Sequence, residues 1–447
     1  MKIRRSAVLV CMLAAAAEAY APQFTSNGTA IRRTDAANVK LMVNQAVAPG
    51  MLNSQGSVMI QTGSDPAAAL QAAANAWSSA PASIVKFAPI ETTPAVNNPD
   101  DDRSVIVFLD SPENRSVIGS ALAVTDIVFL SDGKIVETDI LFNPAETFST
   151  NLTPKTFDLQ SVAIHEMGHA LGANHSNILA ATMFQATPPQ SNSQVRLSAD
   201  DIAFLSEFYP APAAAEAYGT LSGKVTFAGG GPVQGAMLVA TDPTTGVTIG
   251  GFSAAADGAY SIKVPHGAYL LYAEPADGPV FPGNLYLPDE KVNFGFQTSF
   301  YGGLAAPQLV DVTGSQATAD LQVTPGAAAF DIQLLGTGSA AGSGDARIST
   351  GVSVLTAGRP VDLILSGPGL EGPVTQDMVR LLGPGLAIRP DSIRIDTRIS
   401  INGVRPLRLT IDVGGRTEPA VGSVVVIRNG AAVALSGSLL IQPPRQP

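Results

Sequence analysis

DLQSVAIHEMGHALGANHSNILAATM, residues 158–183, carries the densest local pattern in this chain. Its apolar residues recur at helical spacing from Leu159 to Leu171, which predicts a helix, and Asp158 just before them is a favoured N-cap residue. Gly172 can adopt the left-handed backbone conformation that ends a helix. We therefore expect a helix that stops near Gly172 and a chain that turns back after it.

Within this stretch lies the pattern His-Glu-x-x-His-x-x-Gly-x-x-His. His165 and His169 are four residues apart and so share one side of the predicted helix, where both imidazoles can bind one metal ion. The turn at Gly172 brings His175 back as a third ligand. Three nitrogen ligands leave a fourth position for water, as in a catalytic zinc site. Glu166 lies beside this site, so we expect it to act as the general base.

A bare His-Glu-x-x-His pattern often arises by chance on a solvated helix face. Here the chain has only 4 histidines, and three of them occupy the required positions within residues 165–175. The sequence therefore predicts one zinc site, with Zn²⁺ as the cofactor.

The pattern, followed by Ser176 and by Ala181-Thr182-Met183, resembles the metzincin metallopeptidases and, among them, the matrixins of the matrix-metalloproteinase type. This resemblance implies that Met183 forms a methionine turn under the zinc ligands. DILFN at residues 139–143 resembles the matrixin strand before the active-site helix. LSADDI at residues 197–202 resembles the start of the family's last helix, and its Ser and Asp form a pattern similar to a capping box. The resemblance covers about residues 36–210.

The 447 residues are too many for one ordinary core and predict two to four domains. Residues 1–19 resemble a secretory signal, with a basic start, an apolar run and a small-x-small cleavage site. The run is too short to span a bilayer stably, so we expect a secreted, extracellular protein without stable membrane insertion. The only cysteine, Cys11, lies in this signal, so we expect no disulfide after its removal.

Residues 20–35 are expected to form a short N-terminal segment and residues 36–210 the catalytic domain. A helix, several strands, the zinc helix and a closing helix predict an α+β fold for this domain. Many matrixins are kept latent by a cysteine of a propeptide that occupies the zinc. The segment at residues 20–35 has no cysteine and is too short for a folded inhibitory prodomain. Asp35 could serve as a carboxylate plug instead, although an ordinary loop aspartate is the simpler interpretation.

Two all-β sandwich domains are predicted after a Pro/Ala-rich linker at residues 211–217. Short alternating strands with Gly/Asp turns fill residues 218–325 and resemble the carboxypeptidase-regulatory-like β-sandwich. Further strands fill residues 340–447, where Asn429-Gly430 predicts a hairpin turn and an immunoglobulin-like β-sandwich is expected. On this interpretation the catalytic domain is independent, and a chain ending near Pro212 folds and cleaves peptides by itself.

The resemblance also bears on further metals. Matrixins usually carry a structural zinc and calcium built partly from histidines, but Val124 and Leu141 stand where the family has histidine. We therefore expect no second zinc. Calcium needs only oxygen ligands, which Asp126, Asp132 or Asp139 could provide, so Ca²⁺ stays open.

The net charge of −11, with no basic patch, argues against nucleic acid as a partner. The sequence predicts a secreted zinc endopeptidase that acts on protein or peptide substrates. The alternative is an extracellular binding protein, in which the β-domains hold a glycan or protein and the peptidase domain is weakly active or inactive. That alternative predicts loss of the glutamate or of a ligand, and all four residues are present. The β-domains could still direct the enzyme to a polymeric or cell-surface substrate.

Overall fold

The computed structural model describes residues 22–81, 83–99, 101–253, 256–280, 282–285, 291–338 and 347–444. These residues divide into two compact units. The first unit comprises residues 22–174 and 187–216, and the second comprises residues 175–186 and 217–444. The predicted secretory signal lies outside the described residues.

The first unit has an α+β fold. Its elements, in chain order, are β1 Met42–Asn44, α1 Pro66–Ser78, β2 Glu91–Thr93, β3 Val105–Val107, α2 Pro112–Ile118, β4 Ala123–Phe129, β5 Ile135–Phe142, β6 Phe148–Ser149, β7 Phe157–Asp158, α3 Leu159–His169, α4 Ala199–Phe208 and, at its end, α5 Ala214–Ala217. Five strands form one sheet in the order β2-β1-β3-β5-β4. The β4–β5 pair is antiparallel, and the other pairs are parallel. Strand β4 therefore lies at an edge of the sheet.

Helix α1 supports the helix that carries the predicted ligands. Pro66 occupies its first turn, and Asp65 caps it by accepting a hydrogen bond from the Ala68 amide. Trp77 is completely buried, and its indole N–H donates to the Ile164 carbonyl of α3 at 2.8 Å. A buried indole needs such an acceptor, so this bond fixes α1 against α3. Trp77 is therefore an anchor of the core in this unit.

Residues 22–33 are grouped with the first unit and contact its other elements. The Gln23 amide donates to the Gly172 carbonyl at 2.9 Å, and the Arg33 amide donates to the Tyr209 hydroxyl at 2.9 Å. Ile31 is buried in a small apolar cluster with two residues of β4 and β5. These contacts are isolated β-bridges and individual hydrogen bonds, which leave no periodic pattern in the sequence.

The second unit is built mainly from strands. They are β8 Tyr218–Phe227, β9 Met237–Thr241, β10 Thr248–Phe252, β11 Ala259–Pro265, β12 Gly267–Glu274, β13 Ser299–Phe300, β14 Leu309–Val312, β15 Gln316–Thr318, β16 Leu321–Val323, β17 Leu334–Gly338, β18 Arg347–Ser349, β19 Ser353–Thr356, β20 Val361–Ser366, β21 Val379–Leu382, β22 Leu386–Ile388, β23 Arg394–Ile395, β24 Leu407–Val413, β25 Ala420–Arg428 and β26 Ala431–Gln442.

The strands of the second unit form four sheets. The β9 sheet has the order β10-β9-β12-β13, with β14 beside β12, and the β26 sheet has the order β19-β26-β25-β21. The other two are β11-β8-β15, with β16 beside β8, and β18-β17-β20-β24-β22, with β23 beside β24. The strands of all four sheets lie in the two regions predicted to be all-β, except for β17, which lies wholly between them at Leu334–Gly338.

The turn between the last two strands and the stretch between the two units have the following structure. Asn429 and Gly430 both have positive φ, 52° and 81°, and form the two-residue turn between β25 and β26, as predicted. The expected linker contains the short helix α5, in which Ala214 is buried. The carboxypeptidase-regulatory-like and immunoglobulin-like types of the two β regions stay predictions. No helix in the described ranges is long and apolar enough to cross a membrane.

Candidate metal centre

Helix α3 begins as its sequence predicts. The Asp158 carboxylate accepts a hydrogen bond from the Ser161 amide at 2.8 Å, which satisfies one of the unpaired donors of the first turn. Most of the helix is buried, including His165 and Glu166. The first two predicted ligands and the predicted base therefore stand on a helix that is fixed on nearly all sides.

The chain reverses after α3 at Gly172, as predicted. Gly172 has φ of +94°, its amide donates to the His169 carbonyl at 2.9 Å, and the Ala173 amide donates to the Gly168 carbonyl at 3.0 Å. These paired bonds define a Schellman motif. A Cβ atom at Gly172 would lie 2.1 Å from the Ile31 carbonyl oxygen, so no other residue fits without a backbone shift. The turn directs the chain towards His175.

The three predicted histidine ligands come together. Each of His165, His169 and His175 offers one ring nitrogen, and these nitrogens lie within 4.8 Å of one another. The rings of His165 and His169 are nearly perpendicular, with centroids 4.8 Å apart. His165 is buried, whereas the other two are half-buried, so the group is accessible from solvent. Three imidazoles are a ligand set that suits zinc.

The tautomer of His169 also fits a metal ligand. Its Nδ1 lies 2.8 Å from the carbonyl oxygen of Ala173, which can only accept, so Nδ1 carries the proton. This leaves the lone pair of Nε2 for a metal, the usual arrangement of a ligating histidine with a fixed second partner. Gln23 donates to the same carbonyl at 3.0 Å. Sequence reasoning missed Gln23 because no local pattern relates it to a histidine 146 positions away.

Glu166 is held in a buried, hydrogen-bonded position next to His165. Its side chain accepts a hydrogen bond from the Thr125 hydroxyl at 2.7 Å, and the residue is 5% exposed. Burial raises the pKa of the Glu166 carboxyl to about 7, although the bond from Thr125 opposes this shift. Thr125 lies on the edge strand β4 and was not predicted as a site residue.

The residues after His175 form a compact turn. We call residues 176–184 the turn segment. The Ser176 amide donates to the Met183 carbonyl at 2.9 Å, and the Ala181 amide donates to the Ile178 carbonyl at 2.9 Å. Thr182 and Met183 are buried. The structure thus places Met183 in a tight turn whose first residue follows His175, and its role as the methionine under the ligands stays a prediction.

The end of α4 reinforces the turn at Gly172. The predicted capping box at Ser198 and Asp201 is present at the start of this helix. At its end, the Tyr209 hydroxyl donates to the Leu171 carbonyl and accepts from the Arg33 amide. Burial raises the pKa of Tyr209 to about 12, so its hydroxyl stays a donor. Tyr209 therefore fixes the backbone at the turn that precedes His175.

The residues proposed for calcium do not form a comparable group. Asp126 and Asp139 pair across β4 and β5, but both oxygens of Asp139 accept backbone hydrogen bonds, from Asn98 and Val105. Asp132 caps the amide of Lys134 in the following turn. Within the described residues, only the three histidines form a group of converging metal ligands. A calcium requirement stays an unsupported prediction.

The alternative role of Asp35 as a plug for the metal site gains no support. The Asp35 carboxylate accepts a hydrogen bond from the guanidinium of Arg33 at 3.2 Å and is about half exposed. This ion pair is sufficient to explain an aspartate in a loop.

A three-histidine centre with a neighbouring buried glutamate, on a helix of an α+β unit, is the arrangement of a zinc hydrolase. Comparison with known proteins narrows this class, because residues 64–210 match the model of the matrixin family. The chain is 47% identical over 53 residues to metalloendoproteinase 1 of Glycine max and 36% identical over 80 residues to macrophage metalloelastase of Rattus norvegicus. Residues 64–210 are therefore matrixin-like.

These likenesses are confined to part of the molecule. They cover 12% and 18% of this chain and 17% of the length of each relative, so the chain spans less than a fifth of the curated proteins it matches. Among solved structures, BcpA, the major pilin subunit of Bacillus cereus, is similar over 51% of this chain and 69% of its own, with 11% identity and a TM-score of 0.17. That score is too low to assign a fold.

Proposed function

We propose that this chain is a secreted zinc-dependent endopeptidase. The observation that carries the proposal is the convergence of His165, His169 and His175 beside the buried carboxyl of Glu166. The match of residues 64–210 to the matrixin family supports the same conclusion. We assign the three histidines as zinc ligands, Glu166 as the catalytic base and Met183 as the methionine of the turn.

Bound zinc would polarise the scissile carbonyl and lower the pKa of a water molecule towards about 7. Glu166 takes a proton from the attacking water as oxygen adds to the carbonyl carbon, and returns it to the amine nitrogen as the C–N bond breaks. The hydroxyl of Thr125 holds the carboxylate in one orientation during both transfers. A buried carboxyl whose pKa lies near neutrality is suited to both accepting and donating.

The edge strand β4 provides a surface for an extended peptide. No other strand among the described residues pairs with its outer side, and Thr125 in this strand contacts Glu166. An extended peptide can add to a free sheet edge through main-chain hydrogen bonds. A substrate aligned in this way would have its backbone beside the catalytic glutamate, which favours peptide bonds in unfolded segments as substrates.

The binding role considered as an alternative receives no comparable support. It requires that a ligand or the glutamate be lost or displaced, whereas all four side chains are in place. We propose that the β regions act as accessories to proteolysis, and that the secretory signal at residues 1–19 exports the protein.

The test is hydrolysis of unfolded protein by the purified full chain. We expect cleavage of casein or gelatin that stops when 1,10-phenanthroline removes the metal and returns when Zn²⁺ is added. Glu166→Gln is the matched control, because it should retain the metal and lose activity. Cleavage that survives both metal removal and Glu166→Gln would exclude the proposal.

A further inference from the structure

The turn segment is buried inside the second unit. Ile178 and Ala181, both fully buried, belong to one apolar cluster of that unit. The other buried members are Val239, Tyr272 and Phe300 of the β9 sheet, and Leu382, Val425, Ala432 and Ala434 of the β26 sheet. Residues that directly follow the third histidine therefore share a core with strands from both predicted β-domains.

Hydrogen bonds attach the same segment to the two sheets. The Leu179 amide donates to the Ser436 carbonyl of β26 at 3.1 Å. The side-chain amide of Asn177 donates to the Leu238 carbonyl of β9 at 3.3 Å. Just after the segment, the side chain of Gln185 donates to the Pro279 carbonyl at 3.2 Å. Hydrogen bonds as well as apolar packing therefore hold the turn segment against the two sheets.

Two glycines of the sheets make room for the segment. A Cβ atom on Gly250 of β10 would lie 1.9 Å from Oδ1 of Asn177 and 3.2 Å from Cγ1 of Ile178. A Cβ atom on Gly437 of β26 would lie 2.4 Å from Cγ2 of Ile178. Ile178 therefore fits between a glycine of one sheet and a glycine of the other, where a larger residue on either strand would push it out.

A buried polar network holds β26 where the segment binds. The hydroxyl of Ser436 donates to Oε1 of Glu274 on β12 at 2.7 Å and lies 2.8 Å from the hydroxyl of Tyr272 on the same strand. Networks of this kind in a low-dielectric interior favour one arrangement of the strands. The carbonyl of Ser436 that accepts from Leu179 is therefore on a fixed backbone.

We propose that the β9 and β26 sheets position the third zinc ligand by holding the turn segment, so that metal affinity at the three histidines depends on residues 217–444. A loop that must be ordered before it can bind loses conformational entropy, and a preorganised one does not. His175 immediately precedes Ser176, whose amide is bound to Met183. Fixing residues 176–184 therefore restricts His175. The proposal rests on the proposed function only in treating the triad as a zinc site.

This inference differs from the sequence-based expectation that the catalytic domain is independent of the β-domains. That expectation placed every residue up to 210 in one domain, because the Pro/Ala-rich stretch follows it. The structure instead groups residues 175–186 with the second unit. The β-domains would then be structural parts of the metal centre as well as accessories for binding substrate.

The first experiment measures metal affinity in full-length variants. Gly250→Ala should weaken Co²⁺ or Zn²⁺ binding at least about tenfold, by competition with a chelator, and should alter the visible spectrum of the Co²⁺ form. Gly229→Ala is the matched control, because a Cβ atom at Gly229 would meet no atom within 4 Å. The double variant Gly250→Ala/Asn177→Ala removes the clashing Oδ1 atom together with the bond to Leu238, and should recover part of the affinity. Equal affinities of wild type and Gly250→Ala, in folded protein, would overturn the proposal.

The second experiment is independent of whether Gly250→Ala folds. In the metal-free full chain, hydrogen exchange of the amides in residues 176–184, above all that of Leu179, should remain as slow as in the neighbouring strands β9 and β26. Fast exchange after zinc removal would mean that the metal orders the segment, and would overturn the proposal. Neither readout uses hydrolysis. A protein with a protected segment, the expected metal affinities and no peptidase activity would refute the proposed function while supporting this inference.

Discussion

The hydroxyl of Thr125 on β4 lies 2.7 Å from Oε2 of Glu166 on α3 and 3.0 Å from the Glu166 main-chain carbonyl. The bond joins the edge strand of the sheet to the proposed base, in a position where both residues are buried. A carboxylate that shuttles a proton must face the reacting atoms, and a single hydroxyl donor restricts its rotation. Thr125 is therefore a positioning residue for Glu166.

Replacing Thr125 by Val should lower kcat/KM by about tenfold to a hundredfold, because a hydrogen bond to a charged group contributes about 1.5–3 kcal/mol and the shape of the side chain is kept. Zinc content should not change, since Thr125 is not a ligand. The measurement is steady-state hydrolysis of a fluorogenic peptide, with metal analysis of the same samples.

Thr125→Ser provides the control for this prediction, because it restores the hydroxyl while losing only a methyl group. Its activity should lie within about threefold of wild type. If the variants Thr125→Val and Thr125→Ser were equally active, the hydroxyl would have no part in positioning Glu166.

Glu166→Gln should separate catalysis from metal binding. The amide keeps the size of the side chain but cannot accept the proton, so kcat should fall about a hundredfold or more, the usual contribution of general-base catalysis. Zinc should remain bound, since the three histidines are unchanged. Glu91→Gln, at an exposed position on β2, serves as a control for purification and metal loading. Turnover of Glu166→Gln near the wild-type rate would refute the assigned mechanism.

Metal stoichiometry tests the assignment of the ligands. We expect one tightly bound zinc per chain after dialysis, because the triad is the one group of converging ligands within the described residues. His169→Ala should lose that zinc, whereas His266→Ala should keep it, since His266 is an exposed turn residue whose Nδ1 lies 3.0 Å from the Val312 carbonyl oxygen. Two zinc ions per chain by elemental analysis would contradict the absence of a histidine site around Val124 and Leu141.

The local features of the site could be predicted from sequence because short-range rules determine them. Asp158 caps its helix through a residue three positions away. Gly172 ends the helix because glycine tolerates a positive φ and has no Cβ atom to clash with the Ile31 carbonyl. The histidine triad spans residues 165–175, so its geometry follows mostly from one helix and one turn.

The supporting contacts could not be predicted because they join distant parts of the chain. Thr125 meets Glu166 across 41 positions, and Gln23 shares the Ala173 carbonyl with His169 across 150. The placement of Ile178 depends on Gly250 and Gly437, which look like ordinary strand or turn glycines in the sequence. Tertiary packing decides such contacts, and one sequence contains no periodic signal for them.

A group of buried carboxyls on β4 and β5 makes the stability of the first unit depend on pH. Glu137 and Asp139 lie two residues apart on β5 and so share one face of the sheet, and Asp126 of β4 pairs with Asp139. Burial raises the pKa of Glu137 to about 7 and that of Asp139 to about 6, and the negative charge of neighbouring carboxylates adds to both shifts.

The direction of the effect follows from these raised values. Below about pH 4 both carboxyls are protonated in the folded and the unfolded chain, and their contribution to stability is complete. As pH rises from about 4 to about 7, the folded unit still holds protons that the unfolded chain has lost, so its free energy of unfolding decreases and then levels off above the folded pKa values.

Glu137→Gln should therefore flatten the dependence of stability on pH. Urea unfolding, followed by the fluorescence of Trp77, reports on the first unit because Trp77 is the only tryptophan and is buried there. At about pH 8 the variant should be more stable than wild type, because a neutral amide carries no cost of ionisation. At about pH 4.5 it should be as stable as wild type or less stable. Glu91→Gln, exposed on β2, should leave the wild-type slope unchanged. If Glu137→Gln had the same slope as wild type between these two pH values, Glu137 would not be the group that titrates on folding.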